Sequence, residues 1–197
     1  MERASDVRAP AYRQPRSRLA RLVAALITLP LATVIAIAVA VRLLAGVALP
    51  ATSTDDYEFG LLARNIVEGD GYTYLRDDPR GRVEPDRPGV TGEPLPSAYL
   101  PPVYTYLTAA AMTVGDSHAG TVWALRAVHI ATAAGAVALL DALARRLVGP
   151  AGRLAALGYA LYPAMVYFST QVSAANLYLP LELASLLLLL RAAEAPS

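Results

Sequence analysis

Two adjacent carboxylates, Asp55 and Asp56, follow a long apolar run in the segment Thr54-Asp55-Asp56-Tyr57-Glu58-Phe59. A carboxylate held out of bulk water can take a proton from an attacking hydroxyl or amine, which is general-base chemistry. The run before it, Leu22 to Leu49, carries Arg42 as its only charge. Roughly 20 apolar residues suffice to cross a bilayer, so the pair stands where the chain leaves a membrane. A reaction on a lipid-carried substrate needs its acid or base at that depth. The same two residues also suit a simpler role, capping the helix that follows, which is worth about 0.5–2 kcal/mol.

Composition sets the class that must hold these groups. The chain has 197 residues, of which 55% are hydrophobic and 17% charged, with a mean hydropathy of +0.41. A soluble domain of this length breaks its apolar segments at period 2 or 3.6. There are no cysteines, which excludes disulfides and thiolate metal sites. The formal net charge is +1 and every basic residue is arginine. The charges are segregated along the chain, so the net value carries little.

The spacing predicts an all-α integral membrane protein with about four transmembrane helices. Residues 1–21 read as a disordered basic cytoplasmic tail, with Arg3, Arg8, Arg13, Arg16, Arg18 and Arg21 against Glu2 and Asp6. A cleaved signal peptide competes with that reading, but the apolar run exceeds the roughly 7–15 residues of a signal core. Residues 22–49 form the first span, 50–118 a large outer loop, and 119–197 spans two to four: Ala119–Val148, Arg153–Phe168 and Leu177–Leu190. Within the loop, Phe59, Leu61, Leu62, Ile66 and Val67 fall on one face of a helix over Asp56–Glu68, ended by Gly69-Asp70-Gly71. Directly after a membrane exit, such a face predicts an amphipathic interfacial helix on the outer leaflet, with Phe59, Leu62 and Ile66 inward. The segment from Pro101 to Val114 is too short to span and predicts a second helix at the interface.

Charge orients the whole. With the tail inside, Arg145, Arg146, Arg153 and Arg191 also fall inside, and the acidic loop faces out, as the positive-inside rule expects. That places the chain in the plasma membrane as a multi-pass protein with both termini cytoplasmic.

The ordered segments Asp-Asp-x-Glu-Phe, Leu-Ala-Arg-Asn-Ile-Val-Glu-Gly-Asp-Gly-Tyr, Ser-Ala-Tyr-Leu-Pro-Pro-Val-Tyr, Ala-Leu-Arg and Ala-Leu-Tyr-Pro carry a likeness to a known family. Over Leu22 to Leu190 the chain resembles the N-terminal portion of the polytopic glycosyltransferases of the C-type fold, in particular the protein mannosyltransferase and aminoarabinose transferase group. The resemblance implies transfer of a sugar from a polyprenyl-phosphate carrier to an acceptor on the outer face, the acceptor's identity staying open. It implies Asp55 as the catalytic base. Arg64, Arg126, Asp56 and Tyr99 are then the donor- and phosphate-binding set, since cations must hold the departing phosphate. Arg42 is a further candidate cation. Family members are usually more than twice as long, so the resemblance implies a fragment, a truncated gene product or one half of a split enzyme; in the last case the remaining half is an expected partner. In relatives the connection between spans three and four commonly carries an acidic residue, where this chain has Asn176.

Each of these residues has a second reading. Arg42 is expected to snorkel to the outer interface. Arg126 is placed either against Asp116, at the outer headgroups or on a phosphate. His118 and His129 read as packing or interfacial polar groups, too few for a metal site. Tyr99, Tyr104, Tyr106, Tyr159, Tyr162, Tyr167 and Tyr178 read mainly as an aromatic belt. No cofactor is required by the sequence, and divalent-metal dependence stays open. No nucleotide-binding glycine motif is present, and the basic tail lacks the interleaved aromatics of a nucleic-acid binder, so the expected partner is membrane lipid. A second class stands beside the transferase: a small four-span protein with a structural or partner-binding role and no catalysis.

Overall fold

Prolines and glycines set the boundaries of the helices. The computed structural model describes residues 17–50, 58–75, 94–96 and 100–195. Helix α1 (Arg18–Ile27) is capped by Ser17, whose hydroxyl accepts from the Ala20 amide, and α2 (Leu31–Ala48) begins after Pro30. The span expected over 22–49 is therefore two helices, because Pro30 lacks an amide proton and steers Leu29 away from helical angles. Helix α1 also starts within the stretch expected to be a disordered tail.

The loop after α2 holds α3 (Glu58–Glu68) and a short antiparallel pair, β1 (Thr73–Leu75) with β2 (Pro94–Pro96), in register Tyr74 to Leu95. Helix α4 (Pro102–Gly115) reverses into α5 (His118–Val148) through Asp116, which adopts the left-handed conformation at φ 48°. Ser117 then caps α5 by accepting from the Gly120 amide at 3.1 Å. A 3-10 turn, Gly149–Ala151, leads into α6 (Gly152–Leu161), and the break at Tyr162-Pro163 separates it from α7 (Pro163–Phe168). Helix α8 (Ala175–Glu194) completes the chain of elements.

Long-range contacts give the direction of each helix. Arg126 on α5 meets Gly46 near the end of α2, whereas Val137 packs with Val34 and Ala38 near its start, so α5 runs back along α2. Helix α6 turns up again, with Ala156, Leu157 and Ala160 in the same core as Val34 and Val137. Asn176 at the head of α8 bonds the end of α7, and Glu194 at its tail pairs with Arg146 near the end of α5. Thus α2, α5, α6–α7 and α8 alternate in direction. Three stretches are long and apolar enough to cross a membrane: Leu31–Ala48, His118–Leu161 and Ala175–Glu194. Helices α6 and α7, of 10 and 6 residues, are too short to cross singly, at about 15 and 9 Å. The third expected span is thus a broken one, because Pro163 has no amide to continue α6.

With 31 residues, α5 is about 45 Å long, more than a hydrocarbon core of about 30 Å. Its first two turns extend past the end of α2, and α4 lies antiparallel beside them. Helix α3 packs on α4. Leu62 is fully buried and Leu61 8% exposed, while Phe59 meets the Tyr104 ring edge-on at 4.9 Å. The apolar face expected to rest on lipid is covered by protein instead; Val67, 46% exposed, stays outside.

The α4–α5 reversal depends on two glycines in close approach. A Cβ on Gly120 would stand 1.8 Å from the Gly115 carbonyl oxygen, whereas one on Gly135 meets nothing within 4 Å. Gly120→Ala should therefore lower stability by about 1–3 kcal/mol or more, through forced separation of α4 from α5. Gly135→Ala should be neutral or gain about 0.5–1 kcal/mol of helix propensity. Thermal unfolding of both variants in the same detergent compares them, and equal midpoints would contradict the close approach.

Candidate functional site

The buried face of α5 is polar at both ends and apolar between. Arg126 and His129 lie toward its start, Ala133, Ala136 and Val137 in the middle, and Asp141 toward its end. The i, i+3 and i, i+4 spacing aligns them on one side of the helix. At the first end the α7–α8 connection closes over them with Ser169, Thr170, Gln171 and Asn176, all buried.

Arg126 joins three elements. Its Nε donates to the Thr170 carbonyl at 3.2 Å, Nη1 to Gly46 at 2.6 Å and Nη2 to Leu49 at 3.2 Å. The last carbonyls of a helix lack intrahelical partners and carry its negative dipole end, so a cation there is favourable. The guanidinium also lies 5.1 Å from the centre of the Trp123 ring. Arg126 packs closely over Gly46, where a Cβ would meet its Cδ at 3.6 Å, an ordinary van der Waals contact. Arg126 thus clamps the exit of α2 to α5 and to the α7–α8 connection, and its polar head faces carbonyls rather than Asp116.

One turn along α5, His129 lies between a phenol and a carbonyl. Its Nδ1 is 3.3 Å from the Ser169 carbonyl and its Nε2 is 3.0 Å from the Tyr104 hydroxyl. A carbonyl only accepts, so Nδ1 carries the proton and Nε2 of the neutral ring accepts from Tyr104. Burial raises the Tyr104 phenol above its ordinary range, which keeps that hydroxyl a donor. Tyr104 is 0% and His129 1% exposed. Both are sealed from solvent, so the pair orients α4 and the connection rather than exchanging protons with an acceptor.

The surrounding hydrogen bonds extend this frame. Asn176 donates to the Phe168 carbonyl at 2.8 Å and to Ser173 at 3.3 Å, tying the end of α7 to the start of α8. Tyr72 donates to the Leu100 carbonyl at 2.7 Å and stands 3.2 Å from the Thr105 hydroxyl. Asn65 on α3 donates to the Thr73 carbonyl. The loop between α2 and α4 is thereby fastened to α4 through Tyr72.

Of the residues singled out by sequence, Asp55, Asp56 and Tyr99 lie outside the described residues. Arg64 is half-buried on α3 and engaged, so it is not a free cation. Arg126 is beside the α2 exit. Arg42 corrects the snorkelling expectation: it is 1% exposed, donates to the Ala38 and Ala160 carbonyls at 3.2 and 3.0 Å, and stacks 5.3 Å from the Tyr159 ring centre. With α6 alongside, the carbonyls nearest to it belong to protein, so its head turns inward. Tyr104 likewise leaves the expected belt for the interior and Tyr159 is half-buried under Arg42, while Tyr106, Tyr162 and Tyr167 are exposed. The Tyr104–His129 pair was missed because 25 residues separate its members and neither carries a local motif. Among the described residues no three histidine or acidic side chains converge as a metal site would require. Compared with family models, curated proteins and solved structures, the chain matches none.

Proposed function

We propose that this chain is a membrane glycosyltransferase, or the N-terminal portion of one, that moves a sugar from a polyprenyl-phosphate donor to an acceptor on the outer face of the plasma membrane, with Asp55 as base. One observation carries the reading beyond the ordered motifs. The two ends of the segment bearing Asp55 and Asp56 are held at neighbouring places: Leu49 by Arg126, and Phe59 by Tyr104, whose partner His129 is one turn from Arg126. A segment tethered at both ends loses less entropy on presenting a carboxylate to a substrate. The alternating helices support four crossings, the third broken at Pro163.

The non-catalytic reading has its own observation. Arg126 spends three of the five guanidinium N–H groups on backbone carbonyls, as a purely structural clamp would. The two readings separate in vesicles loaded with polyprenyl-phosphate sugars, the chain being supplied together with any sequence downstream of Ser197. Release of free polyprenyl phosphate favours the transferase; its complete absence favours the clamp.

Orientation is tested independently of chemistry. A reporter inserted near Gly89 should report the outside, and one fused after Ser197 the cytoplasm. A cytoplasmic signal at Gly89 would overturn the proposal, because the acidic loop would face away from the donor.

A further inference from the structure

The buried side of α8 carries Asn176, Leu183 and Leu187, which face the bundle. On the opposite side Tyr178, Leu181, Glu182, Ser185 and Leu186 line an open groove. Tyr178, Glu182 and Ser185 fall at i, i+4 and i+7 and so form a polar stripe along it. Glu182 is exposed and has no hydrogen-bond or ion-pair partner among the described residues. Its place in the helix is what makes this consequential. It stands about 9 Å below Asn176 and about 18 Å above Glu194, within a 20-residue helix apolar enough to cross a membrane. Leu181, Leu186, Leu188 and Leu189, all at least half exposed, surround it.

A carboxylate at that depth facing lipid is unfavourable, and intramembrane acids face a partner, a cavity or a cation. Among the described residues Glu182 meets no partner and no cation, only the open groove that it lines. From this we infer that the Tyr178–Glu182–Ser185 face of α8 is the docking surface for another transmembrane helix, one that carries an arginine or lysine at the matching depth. Charge complementarity selects that occupant: the cation meets Glu182, while Ser185 and Tyr178 offer polar contacts one turn to either side. A second copy of this chain fits less well. The arginines nearest mid-span, Arg42 and Arg126, are 1% and 5% exposed and already engaged. The inference needs only that α8 crosses the membrane; it stands whether or not the chain is a transferase.

The probe is a synthetic polyleucine helix with one central arginine, labelled for energy transfer to a dye on the full chain in lipid vesicles. An all-leucine helix is the comparison. Insertion of the chain is first established by resistance to alkaline extraction, so a failure to insert is not mistaken for a failure to dock. The arginine helix should associate about five- to thirtyfold more tightly than the all-leucine one, as intramembrane polar contacts do. Glu182→Gln should remove that preference, whereas Glu194→Gln should keep it. Equal association of the two helices would overturn the inference. So would energy transfer between copies of the chain that is lost in Glu182→Gln, since that outcome makes the face a self-association surface.

Discussion

Replacing Asp55 with asparagine should lower transfer from a polyprenyl-phosphate sugar by about two to four orders of magnitude, the usual contribution of a positioned general base. Asparagine keeps the size and hydrogen-bonding capacity of the side chain but holds no lone pair that takes a proton at neutral pH. Asp56→Asn should lose much less, because a capping role survives in asparagine, which is itself a good cap. Membrane insertion should be the same for both variants and the parent. The assay is release of polyprenyl phosphate, with accumulation in membranes measured alongside. Equal losses at both positions together with poor accumulation would move the pair to a structural role. Full activity in Asp55→Asn would remove it as the base.

The second large effect is expected far from that segment, on stability. Asp141 and Arg153 face one another across the α5–α6 hairpin at 3.4 Å, with side chains 6% and 7% exposed. The pair is an ionic contact without hydrogen-bond alignment: Asp141 Oδ1 and Arg153 Nε and Nη1 have no hydrogen-bond partner among the described residues. Removing one member of such a pair leaves a buried charge uncompensated, which costs about 3–5 kcal/mol, whereas replacing both with apolar residues of similar size is near neutral. Asp141→Asn should therefore lower the unfolding midpoint in detergent sharply. The double variant Asp141→Leu with Arg153→Met should recover most of the loss. A single variant as stable as the parent would mean that the Arg153 head reaches water.

Both predictions turn on how far local pattern reaches. The lengths of the apolar runs are properties of contiguous residues, and they are enough to read a helical chain with membrane-length stretches. Caps are similarly local: Ser117 needs only the residue three further on to act. The breaks were readable in principle, since Pro30 and Pro163 act on their own backbone and its immediate neighbours. A hydropathy run passes through a proline without interruption, so it reports one stretch where the backbone forms two helices.

What the sequence by itself determined is a helical chain with stretches long and apolar enough to cross a membrane, and the rough extent of those helices, since bilayer thickness and hydrogen-bond satisfaction constrain a single segment at a time. Periodicity also identified the apolar face of α3, but not what covers it. An amphipathic stripe reports only that one side avoids water, and α4 satisfies that as well as lipid does. The tertiary structure alone decided the rest. It turned Arg42 inward to Ala160, joined Arg126 to the end of α2, set Tyr104 on His129 and paired Asp141 with Arg153. Each of these joins groups on different helices, and a buried polar side chain takes whichever partner the packing brings within about 3 Å, a choice that no window of neighbouring residues contains.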